Sequence, residues 1–328
     1  MKKKTRRLIW MIPLIIILLI AGFAVWRIYT QWGKVYEARP PQTDQNAPTP
    51  AVQNLENVYS FLFLGIDSED VKVGRSDSII LAHLNTRLNK VWLLSIPRDT
   101  YVHIYGRKGY DKINHAYAYG GVNSSIRTVE YFLDVPVNYY VAFNFNGVKK
   151  FVDELGGIEI DVEKDMVFQD RITHKPFRLK KGRQKLNGEQ VLNYARYRGD
   201  AEGDFARMRR QQQVVKELLN QTTNYRNVLK LNRLLSVMGD NVKTDIPFTL
   251  LTTLAAKVPS LTGNDVSTLT LKAAPVSIGG VSYMKVTNQE QKRISELLQR
   301  IAVGEDVAVN NEESTKSYIH ESTDGVDD

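Results

Sequence analysis

The stretch Asn187–Gln213, NGEQVLNYARYRGDAEGDFARMRRQQQ, carries its positive charge entirely as arginine. Arg196 and Arg198 stand two apart, just after a short helix signal in which Asn187 and Gln190 have the N-cap and N3 spacing of a capping box. In an extended segment, two-apart spacing sends both side chains the same way. Asp204 then reads as the N-cap of a second helix, after a loop marked by Gly199 and Gly203, and Arg207, Arg210 and Gln211 share one face of it at i, i+3, i+4. Two arginine pairs converging across one turn suit a phosphate or pyrophosphate, because guanidinium forks bind planar oxyanions bidentately and do not lose their charge. The same residues also fit a solvated basic helix laced to Asp200, Glu202 and Asp204.

A second set of chemistry-bearing residues sits at the ends of three apolar runs. Val58–Leu64 ends at Gly65-Ile66-Asp67, Ser78–Leu84 is preceded by Arg75-Ser76-Asp77, and Val91–Ile96 is followed by Pro97-Arg98-Asp99. The runs read as strands, the second and third joined as an antiparallel hairpin, which makes Asp77 and Arg98 neighbours. Asp67 joins them if the first strand is antiparallel to the second. Two carboxylates flanked by arginines at strand ends suit a hard divalent cation that also touches phosphate oxygens. The plainer alternative is turn carboxylates paired with Arg75 and Arg98. His115, within Lys112-Ile-Asn-His-Ala116, fits either a general base or a structural histidine.

The 328 residues that must position these groups are 43% apolar, ample for a buried core, and include no cysteine. That excludes a disulfide framework, a thiolate zinc site and a cysteine nucleophile. The net charge of +8 hides a split, since residues 305–328 hold eight acids against Lys316 alone. The basic remainder suits an anionic partner. Residues 1–7 form a basic N-terminus, and Leu8–Trp26 is an apolar run of nineteen residues without a charge. Such a run spans roughly 28 Å as a helix, which matches a bilayer core. The Lys/Arg cluster before it predicts a cytoplasmic N-terminus and an outward-facing remainder. A cleaved signal peptide is the rival, with Ala21, Gly22 and Ala24 nearby, but the run exceeds the usual apolar core of such a signal. Residues 27–56, with Pro40, Pro41, Pro48 and Pro50, read as an extracytoplasmic linker.

Downstream, helices are expected over 123–133, 146–154, 227–238 and 249–258. Strands are expected over 139–143, 158–162, 267–272 and 281–286, with a polar loop or hairpin over 163–186 and a last helix capped by Asn288. Strands interleaved with helices argue an α/β class, a three-layer α/β/α domain with a mixed central sheet over 57–303, preceded by one transmembrane helix. The acidic residues 304–328 read as a disordered tail.

Gly65-Ile-Asp67, Arg75-Ser-Asp77-Ser78, Ile96-Pro-Arg-Asp99, Lys112-Ile-Asn-His-Ala116, Leu155-Gly-Gly-Ile158, Tyr194-Ala-Arg-Tyr-Arg198, Gly203-Asp-Phe-Ala-Arg207 and Arg210-Gln-Gln212, in this order, resemble the LytR-CpsA-Psr proteins of Gram-positive cell envelopes. The basic N-terminus, single anchor and outward domain match as well. Ala206 departs from the glycine that the family often has before Arg207. The resemblance implies a phosphotransferase that takes an anionic glycopolymer, a teichoic acid or capsular polysaccharide, from undecaprenyl pyrophosphate and joins it to peptidoglycan through a phosphodiester. By the same resemblance, Asp67 and Asp77 hold Mg²⁺, and Arg75, Arg98, Arg196, Arg198 and Arg207 grip the diphosphate, with Lys112 and Gln211 as further members. Arg98, Asp99, Arg196 and Arg198 are the expected catalytic set, with Asp99 or a metal-bound carboxylate as base, and an apolar tunnel takes the prenyl chain. The implied partners are the lipid-linked polymer, peptidoglycan and the cell membrane.

Two other classes compete. A membrane-tethered regulator that binds nucleic acid would use the same basic surface, but the domain faces outward and has no helix-turn-helix or zinc motif, so no nucleic acid is expected. A wall module that only holds polyanions would need the arginines but not two metal-spaced carboxylates.

Overall fold

The computed structural model describes residues 27–39, 49–169, 176–200, 202–222, 236, 238–257 and 261–309. Strand β1 (Val58–Ile66), VYSFLFLGI, contains no charge and is buried on both faces, the pattern of a strand at the centre of a covered sheet. It pairs antiparallel with β2 (Ser76–Asn85) and parallel with β6 (Tyr139–Asn144). Antiparallel β3 (Lys90–Ser95) follows β2, closing the expected hairpin, and the sheet is completed by β12 (Val266–Leu269) beyond β3 and β11 (Val242–Thr244) beyond β6. It is a mixed sheet of six strands.

Successive side chains of a strand point to opposite faces, so each face has its own cover. On one, Leu62, Leu64, Leu81, Trp92 and Leu94 meet helix α2 (His115–Leu133) and helix α7 (Asn288–Ala302). On the other, Phe61, Ile80, Leu84 and Leu93 meet helix α1 (27–35), helix α5 (Asp204–Thr222) and helix α6 (Phe248–Lys257). Helices thus cover both faces. A separate cluster packs α3 (Phe145–Leu155), β7 (Ile158–Val162), β10 (Gly182–Leu186), the hairpin of β8 (Met166–Gln169) and β9 (Pro176–Leu179), and α4 (Gly188–Arg196) against Val214 of α5. Helix α5 therefore joins the arginine segment to the sheet.

Two boundaries move. Residues 27–39 and 49–56 do not behave as a free linker: Trp32 and Val35 are buried in the second face's cluster, and Arg39 Nε lies 2.5 Å from Asp245. Leu55 N also donates to the Ala302 carbonyl at 2.9 Å. The prolines around 40–50 suggested a tether, but apolar residues ahead of them find a place on the sheet. At the other end, Trp92 Nε1 donates to the Val307 carbonyl at 3.0 Å and Lys90 pairs with Asp306 at 2.6 Å, so residues beyond the expected limit of 303 pack on the domain. Smaller differences follow local chemistry. Helix α2 starts at His115 and breaks at Gly120–Gly121, where Gly121 takes φ 60°. The cap of α7 is Thr287, whose hydroxyl accepts from Glu290 N. A hairpin of β4 (Tyr101–His103) with β5 (Tyr110–Lys112) and another of β13 (Ala274–Ile278) with β14 (Val281–Lys285) are added. Among the described residues no helix is long and apolar enough to cross a membrane. The basic N-terminus and the apolar run 8–26 lie outside the described residues, as do most of the helix expected over 227–238 and all of 310–328.

One buried group contributes to the acid limb of stability. His83 of β2 is fully buried, neither ring nitrogen has a partner, and burial lowers its pKa to about 4. The unfolded chain binds this proton near pH 6.5 and the folded chain only near 4, so the stabilisation is complete above 6.5 and is lost as pH falls between those values, by roughly 3 kcal/mol. Replacing His83 with Leu should flatten the stability profile across pH 6.5 to 4 relative to the unmodified chain, as measured by denaturant midpoints. Parallel profiles would contradict a neutral, buried imidazole.

Candidate anion-binding site

The β1–β2 ladder slips at the end of β1: Gly65 pairs with Ser78, but Ile66 pairs with Ser76. Asp77 is the extra residue, and a bulge of this kind turns a side chain away from its regular direction. Gly65 is needed there, because a Cβ would stand 3.0 Å from Ser78 Cβ and 3.3 Å from the Phe143 ring. Just beyond β3, Thr100 closes a turn onto the Pro97 carbonyl, with its amide at 3.0 Å and its hydroxyl at 2.6 Å. That turn presents Arg98 to Asp77: Nη1 donates to Oδ2 at 2.6 Å, as the hairpin requires. Arg98 Nε lies 3.6 Å from Asp99, and Asp99 pairs with Lys112 Nζ at 2.9 Å. Burial opposes the charge of Arg98, but Asp77, Asp99 and Asp204 outweigh it and raise the pKa. Across the bulge, Asp67 accepts from Arg75 N at 2.7 Å and lies 3.5 Å from its guanidinium.

The arginine stretch arrives from the other side. Asn187 and Gln190 form the expected capping box of α4, and Tyr197 then leaves the helix with φ −58°, ψ 136°. Arg196, exposed at the helix end, lies over the Phe145 ring at 4.7 Å. Arg198 Nε stands 4.0 Å from Asp204, and Arg207 Nη2 donates to the same carboxylate at 2.9 Å. Gln211 Oε1 accepts from Ser78 Oγ at 2.9 Å, tying α5 to the bulge. Arg98, Arg198 and Arg207 are thereby gathered around Asp77 and Asp204, with Arg75 and Asp67 beside them and Lys112 and Asp99 beyond. Arg196 stands at the rim, where its partner is the ring.

One expectation fails. Arg210 does not share the site with Arg207. Its side chain is fully buried, paired with Glu163 at 2.6 Å and Asp200 at 2.7 Å, and it donates to the Tyr197 carbonyl at 2.5 Å. It clamps the backbone between Arg196 and Arg198, a positioning role that no local pattern announces, since Glu163 lies 47 residues away. His115 turns to Asp111, 2.9 Å from Nδ1, and to the Tyr119 ring, instead of facing Asp99 or Asp77. Asn114, two residues after Lys112, borders the cluster as well. Its amide N donates to the Arg98 carbonyl at 3.2 Å and its side-chain nitrogen reaches Asp77 at 3.5 Å, while its buried Oδ1 has no hydrogen-bond partner.

The cluster holds more positive charge than its carboxylates neutralise. Arg207 shows this most clearly: it is 4% exposed, its Nε is buried without a partner, and its pKa falls to about 10. Burial is the main cause, and Arg198 and Arg98 add to it against Asp204. A buried guanidinium in such surroundings is costly until an anion arrives. Among the described residues no group of three or more His, Cys, Asp or Glu gathers to hold a metal. Asp67 is paired with Arg75 at 3.5 Å and Asp77 with Arg98 at 2.6 Å, so each carboxylate already has a basic partner. Two surface concavities, of about 280 and 400 Å³, lie elsewhere against α3 and α7 and are lined mainly by polar residues, so the basic cluster is the site that chemistry selects. Replacing Arg207 with Met, which keeps the volume and removes the charge, should leave the melting temperature unchanged or higher without ligand. It should also abolish the stabilisation that inorganic pyrophosphate gives the unmodified chain. A lower melting temperature with the pyrophosphate effect intact would contradict an uncompensated cation.

Comparison with known proteins places the chain in a family. The chain is 33% identical over 304 residues to a polyisoprenyl-teichoic acid–peptidoglycan teichoic acid transferase TagU of Enterococcus faecalis, covering 90% of this chain and 97% of the relative. The crystal structure of B. subtilis TagV superposes with a TM-score of 0.67 at 30% identity over 77% of this chain and all of that one. A structure of TagT bound to LI-WTA gives 0.63 at 30% identity, over 81% and 95%. The model of the LytR_cpsA_psr family matches residues 26–300, and the chain belongs to that family.

Proposed function

We propose that this protein transfers an anionic glycopolymer from a polyprenyl pyrophosphate carrier to peptidoglycan, leaving the two joined by a phosphodiester. The observation that carries this reading is the excess of guanidinium around the Asp77 bulge, with Arg207 buried among Arg98 and Arg198. The teichoic acid transferase activity of the E. faecalis relative and the LI-WTA bound to TagT support the substrate class.

In the reaction, an acceptor hydroxyl attacks the phosphorus next to the glycopolymer. The bond from that phosphorus to the bridging oxygen breaks, and prenyl phosphate leaves with the bridging oxygen. The hydroxyl proton passes to a carboxylate bordering the cluster, Asp99 or Asp77. Phosphoryl transfer needs positioning and charge neutralisation more than covalent help. Arg98, Arg198 and Arg207 supply both, forked on the phosphate oxygens, while Arg75, Arg196 and Lys112 border the site and Gln211 fixes α5 through Ser78. Arg210 keeps Arg196 and Arg198 in place through the Tyr197 carbonyl. Mg²⁺ held by Asp67 and Asp77 would further neutralise those oxygens.

Residues 8–26 serve in this reading as a single membrane anchor with the domain outside. Helix α1, over residues 27–35 directly after that run, is docked on the sheet, so the domain rides close to the membrane surface where a prenyl carrier resides.

Changing Asp77 to Asn keeps the shape and removes a charge from the cation pair. Transfer from a synthetic prenyl-pyrophosphate glycan to a peptidoglycan oligomer should fall about a hundredfold or more, and chelation should act likewise on the unmodified chain. Donor binding should survive better than turnover, since the arginines remain. Equal product from both proteins, unaffected by chelator, would leave a polyanion-binding wall module as the better account.

A further inference from the structure

A row of aromatic rings runs from the site along the outer side of the β4–β5 hairpin. It starts at Lys112, whose ammonium pairs with Asp99 and lies 5.6 Å from the Tyr283 ring centroid. Tyr283, on β14, meets Tyr101 edge-on at 4.9 Å, and Tyr101 stacks on Tyr110 at 5.2 Å with 24° between planes. His103 follows at 5.7 Å, and Tyr131 of α2 stands 5.5 Å from His103. The row is built by three elements that converge: Tyr101 pairs with Lys112 and His103 with Tyr110 across the hairpin, and Met284 N donates to the Asp99 carbonyl at 2.8 Å, seating β14 beside the catalytic turn.

Packing of the hairpins accounts for Tyr101, which is half-buried. It does not account for Tyr110 and Tyr131, which are 60% and 56% exposed. Contiguous exposed aromatic surface of this kind marks a binding face. Tyrosine and histidine rings offer flat apolar faces with polar edges. A pyranose presents the complementary surface, a face of C–H bonds with hydroxyls and amides around its rim. A prenyl chain would call for an enclosed apolar groove, and a polyanion for cations along the row. The row continues directly into Lys112, Asp99 and Arg98.

We propose that this aromatic row is the acceptor subsite, on which the glycan strand of peptidoglycan lies with one hydroxyl delivered to Asp99 and Lys112. The proposal rests on the transferase reading and adds where the second substrate sits. Its test uses the full chain in detergent and the variants Tyr110→Ala, Tyr131→Ala and Tyr110→Phe. Binding of an N-acetylglucosamine hexamer linked β-1,4, and KM for a peptidoglycan oligomer, are measured beside donor KM and melting temperature.

Each alanine variant should weaken hexamer binding and raise acceptor KM by about fivefold to tenfold, with donor KM and melting temperature unchanged. Tyr110→Phe, which keeps the ring face, should behave like the unmodified chain. Unchanged hexamer binding and acceptor KM in both alanine variants would overturn the subsite. So would loss of binding to anionic phospholipid vesicles with sugar binding intact, since the face would then be a membrane contact. If no form of the protein transfers polymer, yet both alanine variants lose the hexamer, the sugar site stands and the transferase reading falls.

Discussion

A buried guanidinium without enough negative charge around it is the constraint on which the site depends. Arg207 is held at the first turns of α5 by Asp204, while Arg98 and Arg198 press on it with like charge. Folding alone gains little from such an arrangement, since burying a charge costs several kcal/mol unless it is fully paired. The cost is offset when a dianionic or trianionic group binds, so part of the binding free energy goes to relieving it. Stability is sacrificed where function needs unpaired charge, a trade commonly found at functional sites.

The fold serves this constraint through a single corner of the sheet. The bulge that ejects Asp77, the turn that presents Arg98, and the hydrogen bond from Ser78 to Gln211 all lie within a few residues of the β1–β2 slip. Helix α5 carries three tasks within about one turn. Arg207 faces the anion site, Arg210 clamps the Tyr197 carbonyl from the interior, and Gln211 locks the helix to the strand. A rigid strand end on one side and a helix fixed by a buried ion-pair network on the other leave the arginines little freedom. Such preorganisation is what phosphoryl transfer rewards.

Much of this was legible in the sequence, because strand ends and helix caps have local signatures. The apolar runs ended where strands end, so the hairpin placed Asp77 beside Arg98, and the Asn187–Gln190 box started α4 as its spacing demanded. The bulge was not legible, since a slip of one residue leaves no mark in an apolar pattern. Neither was the inward turn of Arg210, decided by Glu163 and Asp200 from outside its helix. Helix spacing says which residues share a side, not which find a partner beneath it. Average composition hides single anchors: Trp32 and Val35 stand ahead of a proline-rich run and Val307 within an acidic one, yet all three are buried.

The most direct test of the central claim is a crystal structure of the folded domain, residues 27–309, soaked with a short-chain prenyl pyrophosphate and Mg²⁺. The account predicts diphosphate density bounded by Arg98, Arg198 and Arg207, with the cation between its oxygens and Asp67 and Asp77. Diphosphate bound elsewhere on the domain, with the Arg98–Asp77 and Arg207–Asp204 pairs undisturbed and no cation beside them, would contradict it.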